Sequence, residues 1–115
     1  MTNPSDVQLY DLDDCWADSV GDPLALLASD DPQVQAGSYV IRPGERVPET
    51  GTTSHGGPEL SVILSGEAIL GLPDAGEEYV AGPGTFITIP AGVEHYSENR
   101  ADDPVELVYT VVGDL

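Results

Sequence analysis

The chain has 115 residues, with 21 Asp or Glu against three Arg and no Lys, so its formal net charge at pH 7 is −18. Such an acidic surface repels the phosphates of nucleic acids and of anionic lipids, which excludes DNA, RNA and membrane surfaces as expected partners. With 40% apolar residues, a chain of this length is expected to form one small domain with a small core.

The composition also indicates the fold class. The chain has 13 Gly and 10 Pro, which favour many turns and short strands, and its single Phe and single Trp leave mainly aliphatic side chains to fill the core. This composition predicts an all-β sandwich or barrel rather than a helical bundle.

Charge, cysteine content and apolar runs set expectations about the source and the compartment. An excess of acids without Lys is typical of adaptation to high salt, where screening weakens self-repulsion, so we expect a halophilic source. Cys15 is the only cysteine, which excludes an intramolecular disulfide. No apolar run reaches transmembrane length and the acidic first residues do not resemble a signal peptide, so we expect a cytoplasmic protein.

Residues 1–34 are expected to pack, as a strand and a short helix, on a barrel formed by residues 35–115. The alternation of residues 7–10 predicts a short strand. Asp22 followed by Pro23 gives a helix N-cap and a proline at the first helical position, which predicts a helix of one to two turns that ends before residues 31–32.

The rest of the chain predicts further short strands, which bring the total to seven or eight. Stretches rich in β-branched and aromatic residues are bounded by Gly and Pro, as strands commonly are. The predicted strands span 35–42, 60–72, 77–81, 85–89, 93–97 and 105–112, with a turn or bulge at Gly66. This succession fits a jelly-roll-like β-barrel.

The longest predicted strand has a two-residue period that separates its two faces. Glu59 lies on one face. The other face carries a row of apolar side chains, Leu60, Val62, Leu64 and, beyond Gly66, Ala68 and Leu70. If Glu59 points into the barrel, this apolar row points outward and needs a cover. Either the N-terminal segment or a second chain would cover it, and we expect a homodimer.

Two segments combine a histidine with Gly and Pro at fixed spacing. In GTFITIPAGVEHYSEN (84–99), a β-branched strand runs to Pro90, which cannot donate a ladder hydrogen bond, and a turn at Gly92 precedes His95. In TSHGGPELSVILSG (53–66), His55 is followed by Glu59. These two segments would bring both histidines and one carboxylate from different strands towards the barrel interior.

Together the segments resemble the paired motifs of the cupin superfamily, as in small single-domain barrels of the cupin 2 type. The second motif is matched at every defining position, and the first is matched at His55, Glu59 and Gly66, whereas Thr53 stands where cupins usually have another His. The resemblance implies a cupin jelly-roll barrel in which His55, Glu59 and His95 bind a divalent metal ion and a small molecule occupies the interior.

The implied ligand set limits the choice of metal. Two imidazoles and one carboxylate suit Fe(II), Mn(II), Zn(II) or Ni(II). A Thr hydroxyl is a poor ligand, so water, substrate or Glu49 would take the coordination position beside Thr53. Alternatively, the barrel has lost tight metal binding and the histidines are hydrogen-bonded pocket residues. Tyr96 and Tyr109 are candidate pocket residues, and buried core tyrosines are the alternative.

Three functions remain open from the sequence. The first is a metal-dependent enzyme of dioxygenase, lyase or isomerase type that acts on a small organic substrate. The second is a non-catalytic module that binds a small ligand, and the third is a structural dimer with a degenerate metal site. No general base or nucleophile can be assigned beyond the implied ligands.

Arg42 and Arg46 either recognise a carboxylate or neutralise neighbouring acids, and we favour neutralisation.

Overall fold

The structure is a computed structural model, and the residues that it describes are 12–17, 24–30 and 33–113. Strands dominate these residues. The elements are α1 (Leu12–Ala17), β1 (Leu24–Asp30), β2 (Gln33–Ile41), β3 (Arg46–Val47), β4 (Glu59–Ser65), β5 (Ala68–Leu72), β6 (Glu77–Ala81), β7 (Phe86–Ile89), β8 (Tyr96–Glu98) and β9 (Val105–Val112). Among the described residues, no helix has the length and apolar character that a membrane span requires.

The strands form two antiparallel sheets. The larger sheet has the order β1-β2-β9-β4-β7, and the smaller has the order β3-β8-β5-β6. Strand β9 lies in the middle of the larger sheet, where it pairs with β2 without a register shift and with β4 on its other side. Its two-residue period turns Val105, Tyr109 and Val111 into the buried interior. The predicted all-β, jelly-roll-like architecture is confirmed.

The core lies between the two sheets. Its buried cluster comprises Tyr39, Ile41, Ile63, Ala68, Ala81 and Val105. Burying an aliphatic side chain of this size contributes about 1.5 to 3 kcal/mol. Several of the same residues also line the interior cavity. The same side chains therefore form both the core and part of the cavity wall, so this part of the wall is apolar.

The predicted helix after Pro23 is wrong, because residues Leu24–Asp30 form β1. Its backbone pairs antiparallel with β2, from Leu24 opposite Ser38 to Asp30 opposite Gln33. Helix propensity is a weak local preference, and the ladder to β2 overrides it. The short helix lies earlier, at Leu12–Ala17, where the Trp16 indole donates a 2.7 Å hydrogen bond to the Ser38 hydroxyl. The strand predicted at 7–10 lies outside the described residues.

The facing prediction for the longest strand holds before Gly66 and is wrong after it. Glu59 and Ile63 line the interior, but so do Ala68 and Leu70, which were expected on the outer face. The chain leaves the larger sheet at Gly66, whose φ is +79°, and enters the smaller sheet as β5. A strand that changes sheets does not carry its facing pattern with it, because the two sheets face each other across the core.

Asn99 holds the end of the second motif together. Its side chain is fully buried. The amide nitrogen Nδ2 donates hydrogen bonds to the carbonyl oxygens of Ile41 (2.9 Å) and Asp103 (2.8 Å), and Oδ1 accepts one from the Ala101 N–H (2.9 Å). Asn99 therefore bonds to backbone groups with both ends of its amide. Because these bonds tie three chain segments together, they fix the segment that follows His95.

Candidate metal site

The backbone around His95 is fixed from two sides. Strand β7 ends at Ile89, and the following turn passes through Gly92, whose φ of +78° suits a residue without a Cβ. The Gly92 N–H donates a 2.8 Å hydrogen bond to the His55 carbonyl oxygen. His95 and Thr53 exchange two backbone hydrogen bonds, both of 2.9 Å. These bonds tie the second motif to the first.

The His95 ring is held in one orientation. Its side chain is almost fully buried, at 5% exposure. Nδ1 lies 2.9 Å from the Val93 carbonyl oxygen, and a carbonyl can only accept, so Nδ1 carries a proton. In the neutral imidazole, the lone pair is then on Nε2. A backbone carbonyl that fixes the tautomer in this way is the usual outer partner of a metal-binding histidine.

The segment that carries His55 and Glu59 is pressed against the end of β9. A Cβ on Gly57 would lie 1.6 Å from the Val112 carbonyl oxygen, so only glycine fits. The Val112 N–H in turn donates a 3.1 Å hydrogen bond to the Pro58 carbonyl oxygen. This close contact bends the chain between His55 and Glu59 and returns both side chains to the same space.

His55, Glu59 and His95 converge in that space. One candidate ligand atom from each residue lies within 4.8 Å of the others. His55 Nε2 is 3.3 Å from Glu59 Oε1, and the two imidazole rings have centroids 5.6 Å apart and planes tilted by 56°. Two imidazole nitrogens and one carboxylate form a donor set for Fe(II), Mn(II), Zn(II) or Ni(II). The residues present therefore fit a divalent metal ion.

Polar neighbours surround this cluster. The Ser61 hydroxyl donates a 3.3 Å hydrogen bond to Glu59 Oε2. Gln35 Nε2 donates a 2.8 Å hydrogen bond to the Tyr109 hydroxyl. Burial raises the pKa of the Tyr109 phenol; the Gln35 hydrogen bond opposes this shift, and the Glu59 carboxylate adds to it. Sequence reasoning did not select Gln35 as a cavity residue, although the period of β2 places it on the same face as Tyr39 and Ile41.

The cluster opens into a cavity of about 460 Å³. This volume lies within the range of about 300 to 1,000 Å³ that is typical of small-molecule sites. The walls are mainly aliphatic and aromatic. The lining residues are Gln35, Tyr39, Ile41, Val47, Pro48, Thr53, Ser54, His55, Glu59, Ser61, Ile63, Ala68, Leu70, Ile87, Ile89, His95, Ser97, Leu107, Tyr109 and Val111.

A comparison with known protein families identifies this arrangement. The family described as Cupin domain matches residues 37–112. The chain belongs to the cupin family. The matched region runs from within β2 to the end of β9, and it contains all three residues of the cluster.

Solved structures share the cupin fold at low sequence identity. A conserved protein with a double-stranded β-helix domain from Klebsiella pneumoniae is 19% identical, with a TM-score of 0.74, over 95% of this chain and 91% of its own. A cupin superfamily protein from Desulfitobacterium hafniense is 22% identical, with a TM-score of 0.67, over 79% of this chain and 75% of its own.

The polyketide cyclase RemF from Streptomyces resistomycificus is also similar. It is 22% identical, with a TM-score of 0.64, over 76% of this chain and 61% of its own. At such identities the likeness concerns the fold alone. No curated protein matches the chain in sequence.

The cupin barrel brings some of the sequence-predicted pocket residues to the cavity and leaves others outside. Thr53 and Tyr109 line it. Glu49 lies on an exposed part of the loop and is not among the lining residues.

Tyr96 also lies outside the cavity, because neighbouring strand residues point to opposite faces. Its ring packs on Gly71 and under the Arg46 guanidinium, which is 4.2 Å from the ring centroid. Its hydroxyl donates a 3.2 Å hydrogen bond to Glu78. Ser97, the next residue on the inner face of β8 after His95, takes the place that was expected of Tyr96.

Proposed function

We propose that this cupin binds one divalent metal ion through His55, Glu59 and His95 and acts on a small organic molecule held in the cavity, by dioxygenase, lyase or isomerase type chemistry. The observation that supports this most strongly is the convergence of both histidines of the chain and one carboxylate at the wall of an apolar cavity. When bound, the ion would supply a Lewis acid or an oxygen-activating centre.

Each residue of the cluster has a distinct task in this proposal. His95 offers Nε2, because the Val93 carbonyl engages its Nδ1–H. Glu59 offers a carboxylate whose Oε2 is oriented by the Ser61 hydroxyl. The aliphatic walls exclude water, which strengthens electrostatic interactions at the reacting atoms. Thr53 leaves its side of the cluster open to water or substrate.

A second candidate is a non-catalytic barrel that binds a small ligand, or a structural dimer, with a degenerate metal site. The observation that favours it is Thr53 on the cavity wall, where a fourth ligand would be a histidine in most cupins. Ligand-dependent stabilisation without turnover would support the binding module. A cavity that takes up neither metal nor ligand would support the structural dimer.

Elemental analysis of the protein, purified in high salt without a chelator, tests the primary proposal. We expect near-stoichiometric metal in the unaltered chain and a large loss in His55→Ala. Glu49→Ala is the matched control, because it removes an exposed acid outside the cavity, and its metal content should equal that of the unaltered chain. An unaltered protein that neither contains metal nor takes it up on addition would refute the metal site and leave the second candidate.

We also propose that the cupin forms a homodimer through the outer face of β4 and β7. Leu60, Val62 and Leu64 lie on this face, and Phe86 beside them is 62% exposed. An apolar strip at the edge of a sheet commonly marks an interface. Light scattering in molar KCl should give the mass of two chains, and Phe86→Glu should shift it towards one chain. A monomeric mass for the unaltered protein contradicts the dimer.

We also propose a cytoplasmic location, and the net charge of −18 supports one further proposal, a halophilic source. In dilute buffer the acids repel one another over about 10 Å or more, whereas molar salt shortens this distance to about 3 Å. We expect the melting temperature to rise steadily from dilute buffer to molar KCl. A melting temperature that does not depend on salt contradicts the adaptation.

A further inference from the structure

Among the described residues, the cavity wall carries a negatively charged side chain but no Arg or Lys. Within the part of the chain that the structure describes, Glu59 is the only acid among the lining residues, and neither an Arg nor a Lys lies among them. Since the chain has no Lys and its three Arg all fall within the described residues, the positions of these three side chains decide whether an anion could be bound far from the metal cluster.

Arg100 is engaged on the surface. Its Nη2 lies 2.6 Å from Glu78 Oε2, and its Nε lies 2.5 Å from Glu98 Oε1. The two carboxylates hold the pKa of the guanidinium above its usual value. Arg100 therefore neutralises surface acids and does not face the cavity.

The other two arginines lie near the loop that leads to His55, and neither is among the residues that line the cavity. Arg46 Nη1 donates a 3.1 Å hydrogen bond to the Pro48 carbonyl oxygen, and its guanidinium lies over the Tyr96 ring. Arg42 Nη2 lies 3.5 Å from the Trp16 carbonyl oxygen. Neither side chain lines the cavity, so the suggestion that they recognise a ligand carboxylate there is not supported.

This arrangement sets a limit on ligands. An ionised group that is moved from water to an aliphatic wall loses its hydration, which costs several kcal/mol unless an opposite charge replaces it. At the metal cluster a divalent ion with the Glu59 carboxylate leaves about one positive charge, enough for one anionic donor group. Elsewhere on the cavity wall, among the described residues, the lining is mainly apolar, as at Ile41, Leu70 and Ile87, and no side chain carries a positive charge.

We infer that the cavity takes a largely apolar small molecule that presents one neutral or anionic donor group to the His55–Glu59–His95 cluster and carries no charge at its other end. This inference rests on the proposed function and narrows its substrate class. Nucleotides, phosphorylated sugars and dicarboxylates are excluded, because each carries an anionic group that would meet the aliphatic wall. A hydroxylated or carbonyl-bearing aromatic or alicyclic compound fits.

A matched pair of probes tests the inference. Protocatechuate and its methyl analogue share a catechol head that binds metal, but the far end is a carboxylate in one and a methyl group in the other. Calorimetric titration of the zinc-loaded protein in molar KCl should show that the methyl compound binds at least about tenfold more tightly, which corresponds to about 1.4 kcal/mol. Equal binding, a preference for the acid, or binding of neither compound overturns the inference.

Substitutions on the cavity wall sharpen the test. Ser97→Lys adds a cation to the lining, and Ser97→Met adds similar length without charge. The lysine variant should bring the two affinities within about twofold of each other, whereas the methionine variant should keep the preference for the methyl compound. Far-UV circular dichroism checks that both variants fold. If the lysine variant does not fold, the comparison on the unaltered chain decides alone.

The failure of this inference can be distinguished from failure of the metal site. Zinc content is measured in every sample, and its absence contradicts the metal site only. The metal-free protein is then titrated with para-cresol and para-hydroxybenzoate, which need no metal. If the metal-free protein binds para-cresol more tightly than para-hydroxybenzoate, the proposed ligand class is supported without a metal. If it does not, the proposed ligand class is overturned, whatever the zinc content of the protein.

Discussion

The two histidine-bearing segments are held in different ways. His95 is buried, and both its backbone and its ring nitrogen Nδ1 are bonded to backbone groups. The His55 side chain is 21% exposed, and its Nε2 lies next to Glu59, which belongs to the same cluster. The backbone is fixed in both segments, but the His95 ring is oriented by a backbone carbonyl, whereas the more exposed His55 ring is oriented by Glu59, another member of the cluster.

This difference indicates which of the two motifs should contribute more to the metal affinity. A ligand already locked in its binding orientation loses little conformational freedom when the ion binds, whereas a partly exposed ligand loses more. We therefore expect the second motif to contribute more to metal affinity than the first. Four predictions test this asymmetry.

The largest effect is expected from His95→Ala. Removing an outer partner of a metal ligand commonly weakens metal binding about 10- to 100-fold, so removal of the preorganised ligand itself should exceed about 100-fold. His55→Ala should also weaken binding, but by less, because solvent reaches its position. Competition with a chromogenic chelator measures both affinities. Equal losses, or a larger loss in His55→Ala, would show that the two segments are not different in this way.

Gly57→Ala should give the next largest effect. The added Cβ would meet the Val112 carbonyl, so the segment with His55 and Glu59 must move away from β9. We expect a loss of about 1 to 3 kcal/mol in the free energy of unfolding and weaker metal binding by about tenfold or more. Gly82→Ala is the control, since nothing lies within 4 Å of its Cβ position. If both variants behave alike, the contact at Gly57 does not position the site.

Thr53→His should increase metal affinity. Thr53 pairs with His95 across a backbone bridge and lines the cavity, so an imidazole there would lie beside the preorganised ligand. A fourth protein ligand should tighten zinc binding by about tenfold, or about 1.4 kcal/mol. The same chelator competition measures it. Unchanged affinity would mean that position 53 does not face the ion.

The smallest effect is expected from Ser61→Ala. It removes the 3.3 Å hydrogen bond to Glu59 Oε2 while leaving the carboxylate in place. Because this bond is long, we expect a loss of about tenfold or less in metal affinity and little change in melting temperature. Ser97→Ala is a matched control on the other sheet. A loss as large as that of His55→Ala would make Ser61 an essential part of the site.

The same asymmetry explains how much could be predicted from the sequence. The segment around His95 depends on short-range turn chemistry at Pro90 and Gly92, and the end of β7 was predicted correctly. Alternation along a single strand also placed Glu59 on the face opposite to Leu60, Val62 and Leu64, and Glu59 lines the cavity. Local patterns of this kind are readable without knowledge of distant partners.

The errors occurred where distant partners decide. Residues 24–30 have a helix-start signal, but the ladder to β2 makes them a strand. Ala68 and Leu70 were assigned to the wrong face because the change of sheet at Gly66 was not foreseen. Likewise, the absence of cations from the cavity wall depends on where three arginines pack, and this depends on the tertiary structure.

The contact between Gly57–Pro58 and the end of β9 has a practical consequence for measurement. The Val112 N–H bonds to the Pro58 carbonyl, although Val112 is not one of the three residues of the metal cluster. Any ligand that steadies the His55 segment should therefore slow hydrogen–deuterium exchange at this one amide. Nuclear magnetic resonance could then follow occupancy of the site through the Val112 amide. A paramagnetic or coloured ion would disturb the signal of this amide less than the signals of the ligands themselves.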